Sequence, residues 1–237
     1  MQLHLKDCGL LTIEYGSLKG FGGDATRSFL YKVIKNAVIR SAEYTRASDY
    51  GDHIDTYTEQ QLHSVLCPAI SDITKRKFLF EYPLKRKWRG KEAYAGHIDY
   101  WASYDSKSYI LEVKHAYLSY NSKEPALEIK AKLDDALDQL RGVKNTFPND
   151  HWGRRSYYYG IALEWITFRM GSSDKQKLAS NDTNRIRKAY LRLKEKVGLA
   201  QASALWVLDE TLAKPIQFDN EKFVKFPAVA FIAKMPY

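Results

Sequence analysis

Along the chain the apolar positions change period several times, and each change marks a predicted element. Residues 10–15 fit a short strand, after which Gly16, Gly20, Gly22 and Gly23 punctuate the chain before a helical pattern begins near Asp24. Phe29, Leu30, Val33, Ile34, Ala37 and Val38 recur at helical spacing, which predicts an amphipathic helix packed on a core through one side. Residues 47–57 are polar and read as a loop. Thr58 and Gln61 have the spacing of a capping box and predict a helix over about 58–73, which Pro68 would kink or end early. Strands are expected at 78–84, 94–103 and 108–117, followed by a long helix over 123–145 with Pro148 beyond its end. Residues 156–166, rich in tyrosine and β-branched side chains, read as a further strand. A basic helix over 184–197 stopped at Gly198, and late strands at 202–208 and 228–233, complete the chain. The central order is α, β, β, β, α, β. With 237 residues and 45% apolar content, the expectation is one α/β domain spanning 1–237.

Composition adds a partner class. Lys and Arg number 37 against 28 Asp and Glu, a net charge of +9, which favours a polyanion such as nucleic acid. Basic proteins also exist that merely stay soluble, so charge alone does not choose. Cys8 and Cys67 suggest neither a disulfide framework nor a four-ligand zinc site, which points to a reducing compartment. Residues 1–11 lack the apolar core of a secretion signal, and no apolar run approaches the roughly 18 residues of a membrane span. A cytoplasmic protein without a membrane partner is expected.

The chemistry concentrates in Gly96-His97-Ile98-Asp99 and Tyr109-Ile110-Leu111-Glu112-Val113-Lys114. Strand alternation puts Glu112 and Lys114 on one face and Leu111 and Val113 on the other. If Asp105 and Ser106 are the central residues of a two-residue turn, Asp99 stands directly opposite Glu112, their Cβ atoms about 5 Å apart. Facing carboxylates repel unless a cation lies between them. Mg²⁺ takes oxygen ligands and commonly one or two carboxylates, and Lys114 would then sit beside the activated water. The plain alternative is a solvated hairpin face carrying weak ion pairs.

On these residues, within this order of elements, the chain resembles the PD-(D/E)xK phosphodiesterase superfamily over about residues 58–166. The resemblance implies a restriction-endonuclease-like core, αβββαβ with a central mixed sheet flanked by helices. Residues 1–57 and 167–237 would be N- and C-terminal elaborations. It implies that Asp99 and Glu112 bind metal, that Val113 contributes its backbone carbonyl and that Lys114 is the catalytic lysine. Many members add a glutamate on the first core helix; Glu59 in Thr58-Glu59-Gln60-Gln61-Leu62 is the best match and Glu43 its competitor. Ile98 stands where the family name implies proline. Gln139 resembles the glutamine of some nuclease branches, although Leu140-Arg141-Gly142-Val143 does not complete their Gln-xxx-Tyr pattern. The implied activity is phosphodiester hydrolysis by a Mg²⁺-dependent nuclease, with Mn²⁺ able to substitute and DNA favoured over RNA. A homodimer or a partner protein fits the same picture. The alternative is a non-cleaving nucleic-acid-binding protein that keeps the fold; the presence of Asp99, Glu112 and Lys114 together argues against it.

Residues 75–91 hold eight Lys or Arg and one acidic residue, Glu81, interleaved with Phe78, Phe80, Tyr82 and Trp88. Lys85, Arg86, Lys87 and Arg89 are candidate phosphate contacts, while the aromatics would either stack on bases or face the core. Arg185, Arg187, Lys188, Arg192 and Lys194 spread around a helix and read as a solvated surface. His97 and His115 read as packing or hydrogen-bonding residues. Asp52, His53 and Asp55 have no partner spacing for zinc, and there is no phosphate-binding loop motif of a nucleotide-driven motor.

Overall fold

The β-branched and aromatic runs pair into one mixed sheet, which in this computed structural model holds nine strands among the described residues, 1–50, 52–56, 58–86, 94–119, 125–144, 158–172, 182–218 and 222–236. In chain order the strands are β1 (Gln2–Leu5), β2 (Gly9–Tyr15), β3 (Phe78–Arg86), β4 (Tyr94–Tyr104), β5 (Lys107–Ser119), β6 (Tyr158–Ser172), β7 (Ala202–Leu208), β8 (Ile216–Phe218) and β9 (Lys222–Lys234). The helices are α1 (Gly23–Ala47), α2 (Glu59–Thr74), α3 (Pro125–Lys144) and α4 (Thr183–Val197). The sheet order is β1-β2-β7-β9-β6-β5-β4-β3, with β8 paired to β9. Only β5 and β6 run parallel among these strands, and α3 supplies the crossover that a parallel pair requires. The predicted order of one helix, three strands, one helix and one strand is α2-β3-β4-β5-α3-β6. The fold class is α/β, and no helix among the described residues is long and apolar enough to cross a membrane.

Two apolar layers sandwich the sheet. On one face Phe29, Val33 and Ile34 of α1 and Leu62, Leu66 and Ala69 of α2 pack on Tyr109, Leu111, Val113, Leu163 and Trp165. On the other, Ile129, Leu133 and Leu140 of α3 and Ile186 and Leu193 of α4 pack on Ile110, Ala116, Ala162, Ile166 and Phe168. The alternation is that of a strand whose two faces are both covered, and each large side chain so buried stabilises the fold by about 1.5–3 kcal/mol.

The hairpin forms as its spacing predicts. Ladder pairs run from Tyr104↔Lys107 to Tyr100↔Leu111, and Asp105 and Ser106 both have positive φ, 48° and 58°, as a type I′ turn requires. Ser106 bears the penalty of a side chain in the left-handed region. Ser106→Gly is expected to stabilise the protein by roughly 0.5–1 kcal/mol, a rise in Tm of a few degrees by scanning calorimetry. An unchanged or lowered Tm would show that the turn is not strained there.

Elsewhere the structure corrects the pattern. Helix α2 continues through Pro68 to Thr74, because its apolar side, Leu62, Val65, Leu66, Ala69 and Ile70, is buried against the sheet and holds the turn that lost its amide. Thr58 does occupy the N-cap, but its hydroxyl bonds the Gln61 side chain and makes no capping bond to a backbone amide. The predicted loop contains a 3₁₀ turn, Ile54–Thr56. Strand β6 runs on to Ser172, and β9 starts at Lys222 because the pairing shifts beside Pro227, a bulge that accommodates a residue without an amide donor. Strands β1 and β8 are too short to show a period. The flanking segments are not appended modules: β1, β2, β7, β8 and β9 continue the same sheet beyond β6.

Candidate active site

At Asp99 strands β4 and β5 part. Extending their register by one step would pair Asp99 with Glu112, yet the ladder ends at Tyr100↔Leu111. Instead the Asp99 carboxylate turns toward β5 and its Oδ2 accepts the Val113 amide at 2.7 Å. Two features twist β4 here. Glu81, the residue of β3 across from Asp99, has φ of 49°, and pairing lapses between Phe80↔Tyr100 and Tyr82↔Ile98. Ile98 and Tyr100, two residues apart and so expected on one face, pack in opposite apolar layers.

The gap admits side chains from both faces. Glu112 and Lys114 share the face of Ile110 and Ala116, on the α3 side, whereas α2 packs on the other. Nevertheless Lys114 Nζ lies 3.2 Å from Oε1 of Glu59, at the start of α2, and 3.6 Å from Oε1 of Glu112. The Glu59 contact therefore crosses the plane of the sheet, which is possible only where the β4–β5 ladder has ended. The side chains of Glu112 and Lys114 are 5% and 16% exposed, so these charges interact with little screening by water.

Burial raises the Asp99 carboxyl above its ordinary value, opposed by the Val113 amide, Lys114 and His63. Burial also works to lower the Lys114 pKa, but Glu112, Glu59 and Asp99 outweigh it and the net shift is upward, so Lys114 is an ammonium ion. His63 sits one turn after Glu59 on α2; burial lowers its pKa, while Asp99, Glu59 and Glu81 pull it back up. Its Nδ1 hydrogen-bonds the Tyr100 hydroxyl and its ring packs on Phe80 at 4.6 Å between centroids. On β6, Glu164 is the register partner of Lys114 and is 0% exposed. Burial pushes its carboxyl up to about 8, against the pull of Lys132 and Lys114 and with a further upward push from Glu59 and Glu128.

The structure thus brings together Asp99, Glu112, Val113, Lys114 and Glu59. Glu43 is exposed on α1, beside Cys8 and away from this group, so Glu59 is the helix glutamate at the site. Val113 meets Asp99 through its amide. Gln139 donates to Asp135 on its own helix at 2.8 Å. Lys87, Arg89 and the side chains of Lys85 and Arg86 lie outside the described residues, as does Trp88. Of the aromatics, Phe80 is 40% exposed on β3. His115 accords with its reading as a hydrogen-bonding residue, with Nε2 3.1 Å from Thr167 Oγ1. His63 and Glu164 were not among the expected site residues. Glu59 and His63 lie i, i+4 on one helix side, and Glu164 interrupts an otherwise apolar run from Ile161 to Ile166, and these were the available signals.

Asp99, Glu112 and Glu59 are an all-oxygen donor set of the kind that hard divalent cations choose, and the Lys114 ammonium already stands between two of them as a cation. Among the described residues no three His, Cys, Asp or Glu side chains are gathered as a ligand set. Compared with known proteins, the chain matches no family model and no curated protein.

Proposed function

We propose that this protein is a divalent-metal-dependent nuclease with a restriction-endonuclease-like core, acting on DNA in the cytoplasm. The supporting observation is the convergence of Asp99, Glu112, Glu59 and Lys114 where β4 and β5 separate. A Mg²⁺ or Mn²⁺ ion held by the three carboxylates would supply Lewis acidity, lowering the pKa of a water and offsetting charge on the attacked phosphate. The chain's own part is positioning. The Val113 amide fixes the Asp99 carboxylate. Lys114, protonated, donates hydrogen bonds that orient water and phosphate. The parted strands give the phosphodiester a route to these groups, and the net charge of +9 favours its approach.

The test is incubation of the purified protein with single-stranded, duplex and branched DNA and with RNA, in Mg²⁺, in Mn²⁺ and in chelator. Cleavage of DNA in either metal and none in chelator is expected, with Asp99→Asn lowering the rate at least a hundredfold. DNA bound but never cut would overturn the nuclease reading in favour of a binding protein.

A further inference from the structure

Among the described residues Glu164 is a deeply buried carboxyl group near the site that this scheme leaves unused. It lies on β6 opposite Lys114, and register partners in neighbouring strands project to the same face about 4.8 Å apart. It is 0% exposed, and neither of its oxygens has a hydrogen-bond partner among the described residues. A buried carboxyl group left so is costly and calls for a partner that arrives in another state. The cations that reach it are Lys132 and Lys114. Lys132 is occupied: its Nζ donates to the His115 carbonyl at 3.0 Å and pairs with Glu128 at 3.2 Å. Lys114 is held by Glu59 and Glu112, which are the two carboxylates that a bound metal would claim.

We propose that Glu164 is the positioning partner of Lys114, receiving its ammonium when a divalent cation takes Glu59 and Glu112. The inference rests on the metal-dependent reading above. Glu164 does not join the ligands. It is two strands away from Asp99 and level with Lys114, one step beyond the Glu112 level, so roughly 11–12 Å of sheet separates its Cα from that of Asp99. A lysine on the strand between them bridges that span. Metal binding thereby swings the Lys114 ammonium from Glu59 and Glu112 across to Glu164 on β6, whose carboxyl releases its proton to solvent as the ammonium arrives, and this enclosed pair fixes the direction of the remaining N–H bonds.

The test is calorimetric titration of the whole protein with Mn²⁺ alone, on wild type, Glu164→Gln, Lys114→Ala and the double variant. Glu164→Gln is expected to weaken Mn²⁺ about tenfold in the wild-type background, because the displaced ammonium then has no carboxylate to accept it. In the Lys114→Ala background the same substitution should change affinity little, since nothing is displaced. Glu164→Asp should restore part of the affinity, and Glu164→Leu carries the same expectation should the Gln variant fold poorly. In cleavage assays Glu164→Gln lowers kcat more than it raises KM for DNA. An equal loss of affinity in both backgrounds would make Glu164 a ligand, and no loss in either would leave it without this role; both overturn the proposal while sparing the metal site. A wild type that binds no Mn²⁺, or binds it equally well as Asp99→Asn, overturns the metal reading and this proposal together.

Discussion

Lys114→Ala is expected to lower divalent-dependent cleavage by roughly a hundred- to a thousandfold, the range seen when one preorganised donor is removed from a reacting phosphate or carbonyl centre. The same change should alter stability in a metal-dependent way. With chelator present, Glu112, whose side chain is only 5% exposed, loses the ammonium 3.6 Å away. Breaking one side of such a pair costs roughly 3 kcal/mol or more, a drop in Tm of about 6–12 °C for a chain of this length. Adding Mg²⁺ returns a cation to the carboxylates, and no ammonium has to be displaced first. The variant should therefore gain more thermal stability from Mg²⁺ than wild type does. Calorimetry with and without Mg²⁺ checks the stability half, and single-turnover cleavage at saturating metal checks the rate. Metal-dependent cleavage that persists at the wild-type rate would remove Lys114 from the catalytic set.

Glu164→Gln should strongly change the pH dependence of stability between pH 5 and pH 9. In the unfolded chain a glutamate loses its proton near its ordinary value of 4.5, whereas in the fold the Glu164 carboxyl keeps it up to about 8. The folded state thus binds more protons over that interval. The contribution is fully present below about pH 4.5 and is lost as pH rises through about 8, with a span on the order of 5 kcal/mol at ~1.4 kcal/mol per unit. A glutamine does not titrate. In chelator, urea denaturation should find wild type and Glu164→Gln close at pH 5, with the variant ahead by several kcal/mol at pH 9. His53, which burial holds near 4, shifts both proteins alike and cancels in the comparison. A gap that is constant between pH 5 and pH 9 would mean that Glu164 is ionised in the fold throughout.

The hairpin was legible because two local rules fixed it without tertiary information: a period of two along each strand, and a two-residue turn at Asp105-Ser106. Those rules carry the register as far as Tyr100↔Leu111, one pair short of Asp99 and Glu112, and do not contain the lapse of the ladder at Asp99. That lapse depends on the backbone of Glu81, on another strand. Glu59 could be read from the start of α2, because Thr58 marks the helix N-cap even though its expected amide bond is replaced by one to Gln61. Glu164 was hidden in plain view. Between Leu163 and Trp165 it reads as a minor break in an apolar strand, and only the parallel register places it beside Lys114. The late strand begins well before the 228–233 that its apolar run suggests, because the pairing shift beside Pro227 is a property of the β6–β9 ladder and not of the local sequence. Sheet order is the least local property of all. That β9 inserts between β7 and β6 depends on which apolar faces the helices leave to be covered, and no window of sequence contains that information.

The left-handed Glu81 has a consequence beyond the site. Strand β3 ends the described sheet, so its outer amides and carbonyls are the ones that a neighbouring chain could use to add a strand, and Leu79 and Phe80 are exposed on it. The reversed φ at Glu81 turns one peptide out of the row, and Pro83 removes the donor two residues on. The opposite end is β1, only four residues long. Among the described residues neither margin offers a long, regular template, which disfavours runaway strand-to-strand accretion of the sheet.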